Sequence, residues 1–413
     1  MNDDPISPFL DRAWSALPGE LEAELNQILQ YWERFAVDRQ NGGFFGRIDQ
    51  DNRVDEKAPK GSVLYARILW AFSAAYHYTQ RPIYLELASR AFQYIRDFLT
   101  DHQYGGLYWS VDFRGNPLET YKQVYAQAFG IYGMSEYYRA SQNAEARDMA
   151  LAWRKLIERY SRDPRHGGYI DAFTRDWSFL EIKKLSAKDA NAPKTMNTHL
   201  HLVEAYANLY IICPSDELKE DIQDLLLLFD QKIINKADHH LGLYFSVEWH
   251  REKNIISYGH DIEAGWLLQS CAEVIGERNF IGKAQKNAVQ ITVAAMEGLD
   301  ADDGLWYEFD VDKQQLVAEK HWWPQAEALI GLCNAWQLTG NILFRNALLK
   351  NWFFIQSHIL DKLQGEWLWG IDINKMKMPG QDKIGIWKCP YHNSRACLEL
   401  LKRMGQLSNK AGV

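Results

Sequence analysis

The sequence predicts an all-α fold: an (α/α)6 barrel of six helical-hairpin repeats with short β pieces in the loops. Three observations predict it. A short glycine turn followed by a bulky apolar residue recurs six times, the segments after these turns are apolar nearly all round, and other segments are amphipathic. We expect residues 1–413 to form a single domain, because the repeat runs the length of the chain.

The glycine turns define the repeat. Successive copies lie 61 to 74 residues apart, and their last glycines are Gly43, Gly106, Gly168, Gly242, Gly304 and Gly365. A near-constant spacing of this size indicates one structural unit used repeatedly. An open solenoid needs polar capping repeats at its ends, and neither end of this chain resembles one, so a closed barrel is favoured.

Each unit is expected to hold one enclosed helix and one outer helix. A helix that is apolar on all sides must be enclosed, and this pattern occurs in 68–76, 126–137, 199–210, 262–275, 325–336 and 393–401. Residues 82–100 instead place apolar side chains at three- and four-residue steps, with charges opposite, as on an outer helix. Six inner helices then converge on a pocket at the end where the loops enter them.

Composition excludes several classes of function. Lys and Arg total 46 against 54 Asp and Glu, a net charge of -8, so we expect no nucleic-acid partner. No apolar run approaches the roughly 20 residues of a membrane span, and the acidic start at Met1 lacks the pattern of a secretion signal. Five scattered cysteines without a Cys-x-x-Cys pair favour reduced thiols in the cytoplasm.

Aromatic residues are unusually frequent, with 16 Trp and 21 Tyr. Their flat apolar faces and polar edges suit the C–H faces and hydroxyl rims of sugar rings. Filling a large helical core explains the same excess equally well. Composition alone therefore leaves a carbohydrate ligand and a purely structural role open.

Polar residues recur where the enclosed helices begin. Gln127, Glu263 and Gln325 all lie 21 residues after the last glycine of their turn, so we expect them at one level of the pocket. Burying such groups unpaired costs several kcal/mol each. A polar ligand or mutual pairing is therefore expected there.

Helical spacing sorts the histidines. His260 and Glu263 are three residues apart and share a face, so the carboxylate is expected to orient the imidazole. Asn197 and His201 share a face in the same way, whereas His199 points elsewhere. His239 and His240 are expected to be solvated. No specific metal-ligand spacing such as His-Glu-x-x-His occurs, so we predict no metal.

Two imidazoles facing one sugar could remove a proton from C2 of an open-chain aldose and return one to the other face. His260 and His392 fit these two roles, and Arg67 and His201 fit donors to the developing oxyanion. Glycoside hydrolysis would instead need two facing carboxylates, and only Glu263 and Glu327 lie at this level.

The motifs resemble the N-acylglucosamine 2-epimerase superfamily, and within it the group of cellobiose (or mannobiose) 2-epimerases, over nearly the whole chain. They are Ala66-Arg67-Ile68-Leu69-Trp70, Lys122-x-x-Tyr125-Ala126-Gln127, Ser186-Ala187-Lys188-Asp189, Met196-Asn197-Thr198-His199-Leu200-His201, Gly259-His260-Asp261-Ile262-Glu263, His321-Trp322-Trp323-Pro324-Gln325-Ala326-Glu327 and Trp387-Lys388-Cys389-Pro390-Tyr391-His392-Asn393. Two positions depart from the family pattern, Tyr65 before the Ala-Arg pair and Ser394 after the His-Asn pair.

The resemblance implies an (α/α)6 barrel without an obligatory cofactor that epimerises the reducing-end glucose of β-1,4-linked disaccharides, with cellobiose, mannobiose or lactose as substrate. It implies His260 and His392 as the acid/base pair, supported by Arg67, His201 and Glu263. The implied substrate-binding residues are Tyr125, Asp189, Asn197, Trp323, Trp387 and Glu327. We expect a monomer or weak homodimer.

Other functions remain open on the sequence alone. An N-acylglucosamine 2-epimerase or an aldose–ketose (mannose) isomerase could use much the same barrel. A glycoside hydrolase or lyase on this fold, or a helical-repeat protein that only binds glycans, are alternatives from different classes.

Overall fold

The computed structural model describes residues 7–180 and 191–411, with side chains through residue 405. This part of the chain is mostly helical, as predicted. Its α-helices are α1 Ser7–Tyr31, α2 Ser62–Thr79, α3 Pro82–Tyr94, α4 Val124–Ser141, α5 Ala144–Tyr160, α6 Met196–Ile212, α7 Asp216–Leu228, α8 Tyr258–Ile275, α9 Arg278–Ala295, α10 Trp322–Thr339, α11 Ile342–Phe354 and α12 Tyr391–Ala411. Single π turns follow four outer helices at Trp32–Ala36, Ile95–Leu99, Phe229–Ile233 and Ile355–Ile359, and a 3-10 turn follows α9 at Met296–Gly298.

The even-numbered helices form a closed inner ring. Each of α2, α4, α6, α8 and α10 packs against the next even-numbered helix, and α12 packs against α2. The odd-numbered helices α3, α5, α7, α9 and α11 each pack outside the inner helix that precedes them. The helix outside α12 is α1, so the N-terminal helix supplies the outer half of the last repeat. The predicted (α/α)6 barrel is confirmed.

Burial separates the two layers as their sequences predict. In α2 every residue from Ser62 to Ser73 is buried, whereas α9 buries a stripe of small and β-branched residues. Close helix packing within the ring requires glycine at Gly133, where an added Cβ would lie 2.6 Å from the carbonyl oxygen of Ala66. Outer helices begin at ordinary capping residues, such as Asn143, whose side chain accepts the amide protons of Glu145 and Ala146.

Short strands tie successive repeats together at one end of the ring. They are β1 Ile48–Asp49, β2 Lys60–Gly61, β3 Ser110–Val111, β4 Pro117–Glu119, β5 Lys122–Gln123, β6 Ala172–Phe173, β7 Lys194–Thr195, β8 Tyr244–Phe245, β9 Ile255–Ser257, β10 Glu308–Asp310, β11 Gln315–Val317, β12 Glu319–His321, β13 Gly370–Asp372 and β14 Asp382–Ile384. The strand that leads to each inner helix pairs antiparallel with the strand after the next turn: β2 with β3, β5 with β6, β7 with β8, β9 with β10 and β12 with β13. The pair β14–β1 closes this second ring.

Buried ion pairs hold the strands to the turns. Lys60 donates to Asp38 at 2.9 Å and Lys122 to Asp101 at 2.9 Å, with all four side chains buried. The equivalent positions in the fourth repeat are Asn235 and Ile256, so both charges are lost together. This is expected, because a buried charge without its partner is strongly destabilising.

Within the described residues, no helix combines the length and the apolarity that a membrane crossing requires.

Candidate active site

The turn of the fourth repeat differs from the sequence prediction. Leu107 and Leu305 donate their amide protons to Gln127 and Gln325, and in the fourth repeat Leu241 donates to Asp261. The turn therefore ends at His240, not at Gly242. The prediction that Gln127, Glu263 and Gln325 lie at one level is wrong, since Asp261, and not Glu263, makes the contact with the turn that Gln127 and Gln325 make.

On each inner helix, the side chain two positions after the one that contacts the turn faces the interior of the ring. A step of two residues rotates the side chain by about 200° around a helix, away from the turn and towards the axis. These residues come from all six inner helices and form one layer: Arg67, Phe129, His201, Glu263, Glu327 and Arg395.

Arg395 is the centre of this layer. Its Nη2 donates to Glu263 at 2.6 Å and to Glu327 at 2.7 Å, and its Nη1 donates to Glu204 at 2.6 Å. All four side chains are buried. One guanidinium thus bridges three carboxylates, and a charge-assisted network of this kind is rigid.

The two pocket carboxylates have opposite pKa shifts. Burial and the nearby negative charge of Glu327 raise the pKa of Glu263. Burial also acts to raise the pKa of Glu327, but the charge of Arg395 and the hydrogen bond from His392 outweigh it and hold that pKa below its usual range. The layer therefore concentrates its negative charge on Glu327.

Arg395 and Glu204 were not among the predicted site residues. The signal for Arg395 was available, because it lies three residues after His392 on an enclosed helix, where an arginine needs acidic partners. Glu204 likewise lies three residues after a histidine, His201. Oε2 of Glu204 is 3.0 Å from Nδ1 of His201.

His392 is oriented by a carboxylate. Its Nδ1 lies 2.7 Å from Oε1 of Glu327 and 4.0 Å from Oε1 of Glu263. An ionised carboxylate only accepts, so Nδ1 carries the proton and Nε2 is left for proton transfer. Burial lowers the pKa of His392 to about 3.

His260 has a different partner. Its Nδ1 lies 2.8 Å from the Oγ of Ser257, while Glu263 bonds Arg395. The prediction that Glu263 orients His260 is therefore wrong, because the side chain three residues away bonds across the ring instead. Burial lowers the pKa of His260 to about 3, and the neighbouring His201 acts in the same direction.

Trp323 lies beside both imidazoles. Its ring centroid is 4.7 Å from that of His260 and 5.7 Å from that of His392. The two histidines come from α8 and α12 and are more than 130 residues apart in sequence, yet they border one indole ring. The expectation that they share a site is thus supported by geometry.

Arg67 and Tyr125 lie on the adjoining wall. Nη2 of Arg67 donates to the Tyr125 hydroxyl at 2.7 Å, and its guanidinium lies 4.2 Å from the ring centroid of Phe129 and 4.9 Å from that of Tyr391. Burial acts to lower the pKa of Arg67, but nearby groups, Tyr125 foremost, outweigh it and raise that pKa. Among the described residues this buried cation forms no ion pair with a carboxylate.

The remaining predicted residues line the same region, with one exception. Trp387 is half-buried, 5.8 Å from Trp109 and 5.9 Å from Tyr125 between ring centroids. Asn197 lies one helical turn before His201, and its buried Oδ1 accepts no hydrogen bond from the described residues. Asp189 lies outside the described residues.

Two further predictions can be compared with the structure. Tyr65 and Ser394, the departures from the family pattern, bond respectively the backbone of Phe44 and the carbonyl of Pro390, outside the charged layer. The prediction that His240 is solvated is wrong, because it is buried and bonds Asp261 at 2.7 Å.

A metal ion is one chemical possibility for such a cluster. Ligand atoms of Glu263, Glu327 and His392 lie within 4.8 Å of one another. However, Nη2 of Arg395 already donates to both carboxylates. The guanidinium therefore balances the negative charge that would otherwise attract a divalent cation. This donor set fits an internal ion-pair network better than a metal site.

Comparison with known proteins gives a consistent result. The profile of the family N-acylglucosamine 2-epimerase (GlcNAc 2-epimerase) matches residues 43–393. The chain is 43% identical over 389 residues to a cellobiose 2-epimerase of Bacteroides fragilis, covering 93% of this chain and 98% of that protein. It is 36% identical over 383 residues to a cellobiose 2-epimerase of Dictyoglomus turgidum, covering 92% and 96%. The solved structure of cellobiose 2-epimerase from Bacillus thermoamylovorans superimposes with a TM-score of 0.89 at 37% identity, covering 94% of this chain and 100% of that one.

Proposed function

The chain belongs to the N-acylglucosamine 2-epimerase family, and we propose that it catalyses the reversible C2 epimerisation of the reducing-end glucose of β-1,4-linked disaccharides, with cellobiose as the test substrate. The product is the corresponding mannose-ended disaccharide. The relatives named cellobiose 2-epimerase support this choice of substrate over a monosaccharide.

One observation supports the reaction above the others: His260 and His392 border the same indole ring. C2 epimerisation requires proton transfer on both faces of one carbon, and therefore two proton-transfer groups in one cavity. Their Nδ1 atoms bond Ser257 and Glu327, so both rings can present Nε2 to a sugar.

The proposed reaction moves protons and leaves oxidation state unchanged. One imidazole removes the C2 proton of the open-chain aldose, and the electron pair delocalises to O1, giving an enediolate. The other imidazole, in its protonated form, returns a proton to C2 on the opposite face. The reverse reaction exchanges the two roles, by microscopic reversibility.

Arg67 is proposed to stabilise the enediolate oxygen. The buried guanidinium packs on aromatic faces, so its positive charge is available to a ligand. In a site that excludes water, this charge stabilises a developing anion more strongly than it would in solution. His201, whose ring centroid lies 5.2 Å from that of Tyr125, donates from Nδ1 to Glu204, so its Nε2 is proposed to accept a hydrogen bond from a sugar hydroxyl rather than to donate to the enediolate. Trp387 is proposed to stack on the second sugar ring.

The carboxylates argue against glycoside hydrolysis. That reaction needs an acid and a base or nucleophile on opposite sides of the scissile bond. Glu263 and Glu327 both accept from the same nitrogen of Arg395, so they lie side by side beneath the site.

We further propose that the enzyme works in the cytoplasm as a monomer or weak homodimer. All five cysteines are free thiols, which supports a reducing compartment.

Incubation with cellobiose in deuterated water tests the function. NMR should show the mannose-ended disaccharide with deuterium at C2. A ketose as the main product would instead identify an isomerase, released glucose a hydrolase, and no conversion would refute the enzymatic proposal.

A further inference from the structure

The two imidazoles have chemically different partners on Nδ1. His392 faces a carboxylate oxygen of Glu327 at 2.7 Å, whereas His260 faces the hydroxyl of Ser257 at 2.8 Å. A carboxylate can only accept a hydrogen bond, but a hydroxyl can accept or donate. The proposed acid/base pair is therefore asymmetric.

This difference decides which tautomers each ring can adopt. The carboxylate keeps a proton on Nδ1 of His392, so its Nε2 always has a lone pair when the ring is neutral. When Ser257 accepts, His260 is in the same state. When Ser257 donates, the proton of neutral His260 moves to Nε2, which then donates to a sugar oxygen and cannot act as a base.

The backbone places Ser257 beside His260, with its Oγ 2.8 Å from Nδ1. Ser257 is the last residue of β9, its strand pairs with β10 at Glu308, and it directly precedes α8, which carries His260. The residue is fully buried. Its Oγ is thus held against Nδ1 by the same turn that starts the helix.

Resting on the proposed function, we propose that Ser257 is a positioning residue that accepts from Nδ1 and so selects the Nδ1–H tautomer of His260, while Glu327 holds His392 in the same tautomer in both directions of the reaction. For the epimer that His392 deprotonates, the Nδ1–H bond to Ser257 then supports protonated His260 as it delivers its proton to C2. For the other epimer, the same bond gives His260 the lone pair with which it removes the proton.

Three variants test this role. Ser257→Ala removes the hydroxyl, and we expect kcat to fall roughly threefold to tenfold, the effect of one lost hydrogen bond. Ser257→Thr keeps the hydroxyl and should recover most of the rate. Ser135→Ala is the matched control, because Ser135 is as buried as Ser257 but lies within the inner helix α4 and bonds the carbonyl of Ile131 at 2.7 Å.

The diagnostic measurement is deuterium uptake at C2 of the recovered substrate, relative to product formed, starting separately from cellobiose and from its mannose-ended epimer. In Ser257→Ala, proton delivery by His260 should be slower. More of the enediolate should then be reprotonated by His392 and return to the starting epimer. The ratio of uptake to product should therefore rise at least threefold from one epimer only.

A purely structural loss would lower turnover from both epimers and leave both ratios at the wild-type value. That result, or wild-type turnover in Ser257→Ala, would overturn the proposal. Failure of the proposed function is distinct, since wild-type protein would then show no conversion at all.

Discussion

Oε1 of Glu327 accepts hydrogen bonds from both Nδ1 of His392 and Nη2 of Arg395, each at 2.7 Å. The same carboxylate oxygen therefore orients the imidazole of His392 and binds the guanidinium of Arg395. Any change at Glu327 alters the tautomer of His392 and the charge balance of the layer together.

We expect Glu327→Gln to lower kcat about tenfold to a hundredfold, because a charge-assisted hydrogen bond to His392 becomes a neutral one. Glu263→Gln is the matched comparison. Its Oε1 lies 4.0 Å from the imidazole nitrogen, so its loss of kcat should be smaller. Steady-state kinetics with cellobiose will show whether kcat falls further in Glu327→Gln than in Glu263→Gln. The comparison requires that both variants keep the circular dichroism spectrum of the wild type. Equal losses would contradict the assignment of Glu327 as the orienting group.

His260→Ala and His392→Ala should each reduce the epimerisation rate roughly 10²–10⁴-fold, the usual contribution of a general acid or base. His250→Ala, which removes an exposed imidazole outside the layer, should keep wild-type activity. The rate of formation of the mannose-ended product is the measurement. Wild-type turnover in either active-site variant would disprove the pairing.

Trp387→Ala should raise KM for cellobiose about threefold to tenfold, through loss of stacking on the second ring. KM for glucose should change less, since a monosaccharide has no second ring. Trp14→Ala, on the outer helix α1 against Trp336, provides a control for the loss of an indole. A parallel increase for both sugars would place Trp387 at the reacting ring instead.

Exhaustive treatment with EDTA should leave epimerisation unchanged, because Arg395 already occupies the position between the carboxylates of Glu263 and Glu327. Activity before and after chelation, and after adding back Mg²⁺, Mn²⁺ or Zn²⁺, is the comparison. Activity that disappears with EDTA and returns with one metal would show that the cluster binds that ion.

His199 should make stability depend on pH. Burial lowers the pKa of His199 to about 4, against about 6.5 in the unfolded chain. The unfolded state thus binds more protons, so this contribution is fully present above pH 6.5 and is lost as pH falls towards 4. The loss between pH 7 and 5 is about 2 kcal/mol.

His199 accepts the amide proton of Tyr169 at 2.9 Å and bonds the carbonyl of Thr195 at 2.7 Å. His199→Gln should remove this dependence, because Gln325 makes the same two kinds of bond in the fifth repeat, to the turn backbone and to the carbonyl four residues earlier. Melting temperatures of variant and wild type should agree near pH 7.5, with the variant higher at pH 5. A parallel decline of both would contradict the role of His199.

The sequence determined the repeat and the helices, because these depend on local spacing. The enclosed segments at 68–76, 126–137, 199–210, 262–275, 325–336 and 393–401 all lie in inner helices. The pairing of His260 with His392 also came from sequence, through motifs that mark corresponding levels of the fourth and sixth repeats.

The turn register in the fourth repeat could not be predicted in the same way. His239 adopts a positive φ of 64° at the turn position where four of the other repeats have glycine, so the last glycine of the sequence pattern lies two residues beyond the actual turn. The hydrogen bond from Leu241 to Asp261, between residues 20 apart, is what fixes the register.

Only the tertiary structure decided which groups pair across the ring. Three-residue spacing shows that His260 and Glu263 share a helical face, but not that Ser257 bonds one and Arg395 the other. The partners of Arg395 are set by the closure of the helix ring, which brings α6, α8 and α10 close to this residue on α12. Local periodicity determines a helix and its buried side, whereas the carboxylate partners of Arg395 and His392 lie more than 60 positions away in sequence and are set by the tertiary structure.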